Sequence, residues 1–119
     1  MNFESRAGRR LRLARPVPAL ADGKQIEIYD LGLRGIGVEH DFPLTVGSKT
    51  FIEFSWGKAL IHLACSVSRS REMKGRRERF RSGLTIERNS LSREEYVRRV
   101  EAALESLRVA EAKRPPGLS

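Results

Sequence analysis

The chain of 119 residues has one cysteine, one tryptophan and two histidines, and no hydrophobic run long enough for a membrane span. A lone Cys65 excludes an internal disulfide framework, and its apolar surroundings mark it as a core residue of a cytoplasmic protein rather than a reactive thiol. His40 and His62 lie far apart and lack a second ligand at zinc-binding spacing. Nothing reads as a phosphate-binding loop, a nucleophile elbow, a metalloprotease helix or a signal peptide. Neither enzymatic activity nor a cofactor is therefore expected. The eight aromatic residues are scattered rather than grouped as base-stacking platforms, so nucleic acid ranks last among partners.

What is abundant is positive charge. The net charge is +8, and two islands hold all of it. Residues 1–15 carry five arginines against Glu4, giving +4. Residues 69–81 carry seven basic residues against Glu72 and Glu78, giving +5. Basic islands on a near-neutral body point to an anionic partner. For the 72–79 loop, solvated charge at a hairpin tip explains the same pattern equally well.

A hydrophobic content of 39% suits one folded domain. Leu11, Leu13 and Val17–Leu20 read as a first strand, bent at Pro16 and Pro18 and so expected near an edge. Asp22-Gly23 is a hairpin turn, followed by a strand over Lys24–Tyr29 in which Ile26 and Ile28 alternate with Gln25 and Glu27. Asp30–Gly35 is expected as the next turn, then a strand over Ile36–Glu39. Thr50–Phe54, Ala59–Arg71 and Phe80–Glu87 complete six strands, with Trp56-Gly57 and the charged Met73–Glu78 tip as turns. Short strands with turns every eight to twelve residues predict a six-stranded antiparallel β-barrel or a sandwich. Ser92-x-x-Glu95 is a capping box, and Tyr96, Val97, Val100, Leu104 and Leu107 form the apolar stripe of a C-terminal helix. That stripe is expected to pack on the barrel.

Two motifs carry chemistry. Arg6-x-x-x-Arg10 offers two guanidinium forks that match phosphate oxygens or the O6 and N7 acceptors of guanine. Asp30 offers an acceptor-only carboxylate to guanine N1 and N2 donors. Gly32, Gly35 and Gly37 are expected to supply positive φ and close backbone approach around it. A solvated arm and an ordinary Asp-Gly turn explain each motif alone.

In combination the motifs resemble the PilZ domain. Arg6-x-x-x-Arg10, Leu11-x-Leu13, a strand and Asp30-x-Gly32-x-x-Gly35-Ile36-Gly37-Val38 follow that family's order of R-x-x-x-R and then, about twenty residues later, D-x-S-x-x-G. Phe80-Arg81-Ser82-Gly83-Leu84-Thr85-Ile86 is similar to the family's last barrel strand. Leu91-Ser92-Arg93-Glu94-Glu95 is similar to the start of its closing helix, so the resemblance spans residues 5–107.

The resemblance implies a barrel with a C-terminal helix that binds the messenger cyclic di-GMP. Arg6 and Arg10 would be the clamp, with Arg9 assisting, Asp30 a guanine contact and Gly35 the turn glycine. Gly32 stands where the family has serine. A lost neutral hydrogen bond nets about 0.5–1.5 kcal/mol, roughly a two- to tenfold loss of affinity. The expected organisation is a flexible basic arm over 1–12, a barrel-plus-helix domain over 5–110 and a frayed tail over 111–119. With no attached output domain expected, the signal would pass to an effector protein as the arm orders on ligand binding. Two alternatives remain: a degenerate interaction module that binds no nucleotide, for which Gly32 speaks, and a basic nucleic-acid-binding barrel.

Overall fold

The computed structural model describes the backbone of residues 10–112 and the side chains of residues 12–102. Six strands form a closed antiparallel barrel: β1 (Arg10–Ala21), β2 (Lys24–Gly32), β3 (Gly35–His40), β4 (Lys49–Trp56), β5 (Ala59–Glu72) and β6 (Phe80–Asn89). Their order around the barrel is β1-β2-β3-β6-β5-β4, with β4 returning to β1. The single helix α1 (Arg93–Ala112) follows. The barrel and helix expected from the sequence are present.

Alternation makes the core. Ile26 and Ile28 of β2, Ile36 and Val38 of β3, and Ile61, Leu63, Cys65 and Val67 of β5 all point inward and are at most 4% exposed. Each fully buried aliphatic side chain of this size contributes about 1.5–3 kcal/mol through loss of water contact. Cys65 is among them, and burial, helped by the nearby Glu87 charge, pushes its thiol up to about 12. It is a packing residue, with essentially no thiolate at neutral pH.

The expected edge position of the proline-bearing strand is corrected, because β1 pairs with both β2 and β4 in a closed barrel. Pro16 falls in the break of register between Arg12 and Val17, and the β1–β4 seam pairs Leu20 with Glu53 and Ala21 with Ile52, beyond both prolines. At Pro16 a residue without an N–H removes no ladder bond, whereas Pro18 stands opposite Glu27 within the β1–β2 ladder. Asp22 and Gly23 both take positive φ, as a tight hairpin turn requires. The Asp22 carboxylate also accepts from Thr50 Oγ1 at 2.9 Å and from the Phe51 amide at 3.1 Å, tying this hairpin to β4.

At the start of α1 the Glu95 amide donates to Ser92 Oγ at 3.2 Å, the expected cap. The reciprocal half of the box is replaced, because the Glu95 carboxylate instead binds Arg98 and, at 2.8 Å, Arg99. Tyr96, Val97 and Val100 are buried, and the helix packs on the barrel beside β4. The side chains of Leu104 and Leu107 lie outside the described residues.

The expected turn over Asp30–Gly35 is corrected. Asp30, Leu31 and Gly32 belong to β2, Gly35 opens β3, and the bend is confined to Leu33 and Arg34. The positive-φ glycines among the described residues are Gly23, Gly47, Gly57 and Gly75, all in other loops. Gly32, Gly35 and Gly37 are sheet residues, held extended by ladder pairing with β1, β2 and β6.

Candidate functional site

Two β-bulges decide which side chains reach the outer surface beside Asp30. In the β2–β3 ladder Ile28 faces Val38 and Asp30 faces Gly37, so Tyr29 is an extra residue without a partner. The extra residue reverses the alternation. Ile28 points into the core, Asp30 points out, and Leu31 points in again. In the β5–β6 ladder Val67 faces Leu84 and Arg69 faces Gly83, leaving Ser68 as the extra residue. Strict alternation from Val67 would aim Arg69 and Arg71 into the core, where an unpaired guanidinium costs several kcal/mol. The bulge sends both outward.

The result is one lateral row across the outer face: Arg12, Asp30, Gly37, Gly83 and Arg69. The next row places Arg71 opposite Arg81, Arg81 opposite Glu39, and Glu39 opposite Glu27. Between these rows lies a cleft of about 380 Å³, lined by Arg12, Tyr29, Asp30, Arg69, Arg71 and Arg81, with Ser70 and Ser82 beside them. That volume is within the range of small-molecule sites. Asp30 is 6% exposed and sits in its wall.

The electrostatics are uneven. Arg81 is held by Glu39 at 2.9 Å, and Arg79 by Glu27 at 2.5 Å. Arg12, Arg69 and Arg71 form no ion pair among the described residues. Three guanidinium charges around one recessed carboxylate make a cleft suited to a ligand with both anionic and donor groups. Arg12 and Arg81 also approach the Tyr29 ring, at 6.0 and 4.6 Å from its centroid.

Beneath the cleft, His40 is fully buried and stacked on Phe80. A carbonyl can only accept, so the 2.6 Å contact from Nδ1 to the Phe42 carbonyl fixes the proton on Nδ1. Nε2 lies 2.6 Å from Ser82 Oγ, which is in turn hydrogen-bonded to Ser70 Oγ at 2.8 Å. Burial lowers the His40 pKa, which favours this neutral form.

Of the residues singled out by sequence, Asp30 is in the cleft. Arg10 pairs with Gly32 at the start of β1, two residues from Arg12; its side chain, Arg6 and Arg9 lie outside the described residues. Gly32 and Gly35 frame the bend below Asp30 without lining the cleft. Sequence reasoning missed Arg12, Tyr29, Arg69, Arg71 and Arg81 as a group. The available signal was the break in alternation on β5, where inward Cys65 and Val67 are followed in phase by two arginines.

No protein-family model matches the chain, and no curated protein matches it. A solved structure does. The Bacillus subtilis inhibitor of motility, MotI/DgrA, superposes with a TM-score of 0.62 at 12% identity, covering 92% of this chain and 53% of that one. The fold is PilZ-like. At this identity the likeness concerns fold alone, and the chain spans about half the length of that neighbour. The PilZ-like barrel carries no helix long and apolar enough to cross a membrane among its described residues. Nor does any group of three or more His, Cys, Asp or Glu there suit a metal ion.

Proposed function

We propose that this PilZ-like domain is a receptor for cyclic di-GMP, which it binds on the bulged outer face, and that it acts by binding rather than catalysis. The observation that carries the reading is Asp30, recessed in a cleft whose other charged walls are arginines. A cyclic dinucleotide has two phosphates for guanidinium forks and a guanine edge whose N1 and N2 donors need a carboxylate. Arg10 enters the sheet two residues before Arg12, so the R-x-x-x-R segment leads directly to this face. Arg6 and Arg10 supply the clamp, with Arg9 assisting, and Gly32, where a serine hydroxyl is expected, lowers affinity without removing these charges.

The proposed output is contact with an effector protein, altered when the basic arm closes over bound nucleotide. The structural neighbour is an inhibitor of motility, and an output through a protein partner is in keeping with that name. The competing reading, an interaction module that takes no nucleotide, has Gly32 in its favour.

Calorimetric titration of the full chain with cyclic di-GMP tests the proposal. Micromolar binding that disappears in Arg6→Ala/Arg10→Ala supports it. Absence of binding at high ligand concentration, with a specific protein partner still captured, decides for the nucleotide-blind module.

A further inference from the structure

Gly37 and Gly83 face each other directly across the β3–β6 ladder, in the centre of the candidate site. Neither has the positive φ that would explain a glycine by backbone conformation. Space explains them instead. A Cβ on Gly37 would lie 2.7 Å from Tyr29 Cζ and 2.9 Å from both the Tyr29 hydroxyl and Asp30 Oδ1. A Cβ on Gly83 would lie 2.7 Å from Arg69 Nε and 3.0 Å from Arg69 Cγ. The two bulged strands therefore send Tyr29 and Arg69 toward each other from opposite sides, each lying over one glycine of the pair.

We infer that Tyr29 and Arg69, brought together over the Gly37–Gly83 pair, form the surface on which one purine base of the ligand stacks. This deepens the nucleotide reading above and rests on it. Purine faces stack on tyrosine rings and on guanidinium planes alike, and two such groups side by side cover more of a bicyclic base than either alone. Asp30 is the residue next to Tyr29 and its carboxylate touches the same glycine position, so a base on this surface presents its edge to the carboxylate. Arg81, anchored on Glu39, steadies the ring from one side. The glycines are thus part of the site through what they omit: any side chain at either position would lift its platform residue off the sheet.

The test is titration of the full chain with cyclic di-GMP, comparing wild type with Tyr29→Phe, Tyr29→Ala, Arg69→Ala and Gly83→Ala, each checked for an unchanged melting transition. Stacking lost to alanine weakens nucleotide binding roughly five- to a hundredfold. The expected pattern is near-wild-type affinity for Tyr29→Phe, which keeps the ring and controls for folding, and a loss of that size in the other three. Wild-type affinity in both Tyr29→Ala and Arg69→Ala overturns the platform while leaving the nucleotide receptor intact. Failure of wild type itself to bind cyclic di-GMP overturns the receptor reading and the platform with it.

Discussion

The barrel has two outer faces built by different rules. Around Phe51 the β4–β5 ladder runs without a shift from Lys49 opposite Ser66 to Trp56 opposite Ala59. Side chains there alternate regularly, and the outer face carries Phe51 at 67% exposed and Leu60 at 53%. A shallow depression of about 480 Å³ lies there, lined mainly by apolar atoms from Leu20, Phe51, Leu63 and Ala64. Around Asp30, bulges at Tyr29 and Ser68 interrupt the alternation on two strands, and a pair of glycines separates them. Regular pairing yields a surface that follows from the hydrophobic pattern. Irregular pairing gathers arginines and a carboxylate that the pattern alone would have scattered. The lesson is that the candidate site is written into departures from the sheet's period.

Reversing charge on the bulged face is the strongest way to break this comparison. Arg69→Glu/Arg71→Glu removes two charge-assisted contacts and adds repulsion, so cyclic di-GMP affinity measured by calorimetry falls by roughly a hundredfold or more. Phe51→Glu on the regular face leaves it within about twofold. Equal losses from both would erase the distinction between the faces. Next in size is Asp30→Ala. Hydrogen bonds to a charged group are worth about 1.5–3 kcal/mol, so loss of the guanine contact costs roughly ten- to a hundredfold in the same titration.

A smaller effect of opposite sign sharpens the account. Gly32→Ser restores the hydroxyl of the PilZ pattern and is expected to tighten binding roughly two- to tenfold. Unchanged affinity would show that the position no longer faces the ligand in this chain.

The smallest effect concerns the core under the bulged face. His40 has a folded-state pKa lowered from 6.5, mainly by burial. The unfolded chain therefore binds the proton more readily, and stability rises with pH in this window. The contribution is fully present above about pH 6.5 and is lost as pH falls through the lower folded value. Melting temperature should drop between pH 7 and pH 5 in wild type, with a shallower drop in His40→Asn. Identical pH slopes in the two proteins would show that His40 is not the titrating group.

Much of the frame was legible in the sequence because it depends on period and punctuation. The six strands, the Asp22-Gly23 turn, the Met73–Glu78 tip and the Ser92 cap each follow from residue types at fixed spacing. Asp30 was legible as a chemical group but misplaced, because an Asp followed by two glycines resembles a turn and nothing local announces the Tyr29 bulge. The 69–81 island was legible as charge and no further. Register divides it, sending Arg69, Arg71 and Arg81 to the cleft and leaving Lys74, Arg76 and Arg77 at the exposed tip. Pairing of Gly37 with Gly83 joins residues 46 positions apart, and no single-strand pattern reports it.

Mapping backbone amide shifts of isotope-labelled full-length protein during a cyclic di-GMP titration tests the central claim most directly. The account predicts saturable shifts at Tyr29, Asp30, Gly37, Arg69 and Gly83, with Phe51, Leu60 and His62 unmoved. Shifts confined to the regular face, or none at any ligand concentration, would contradict it.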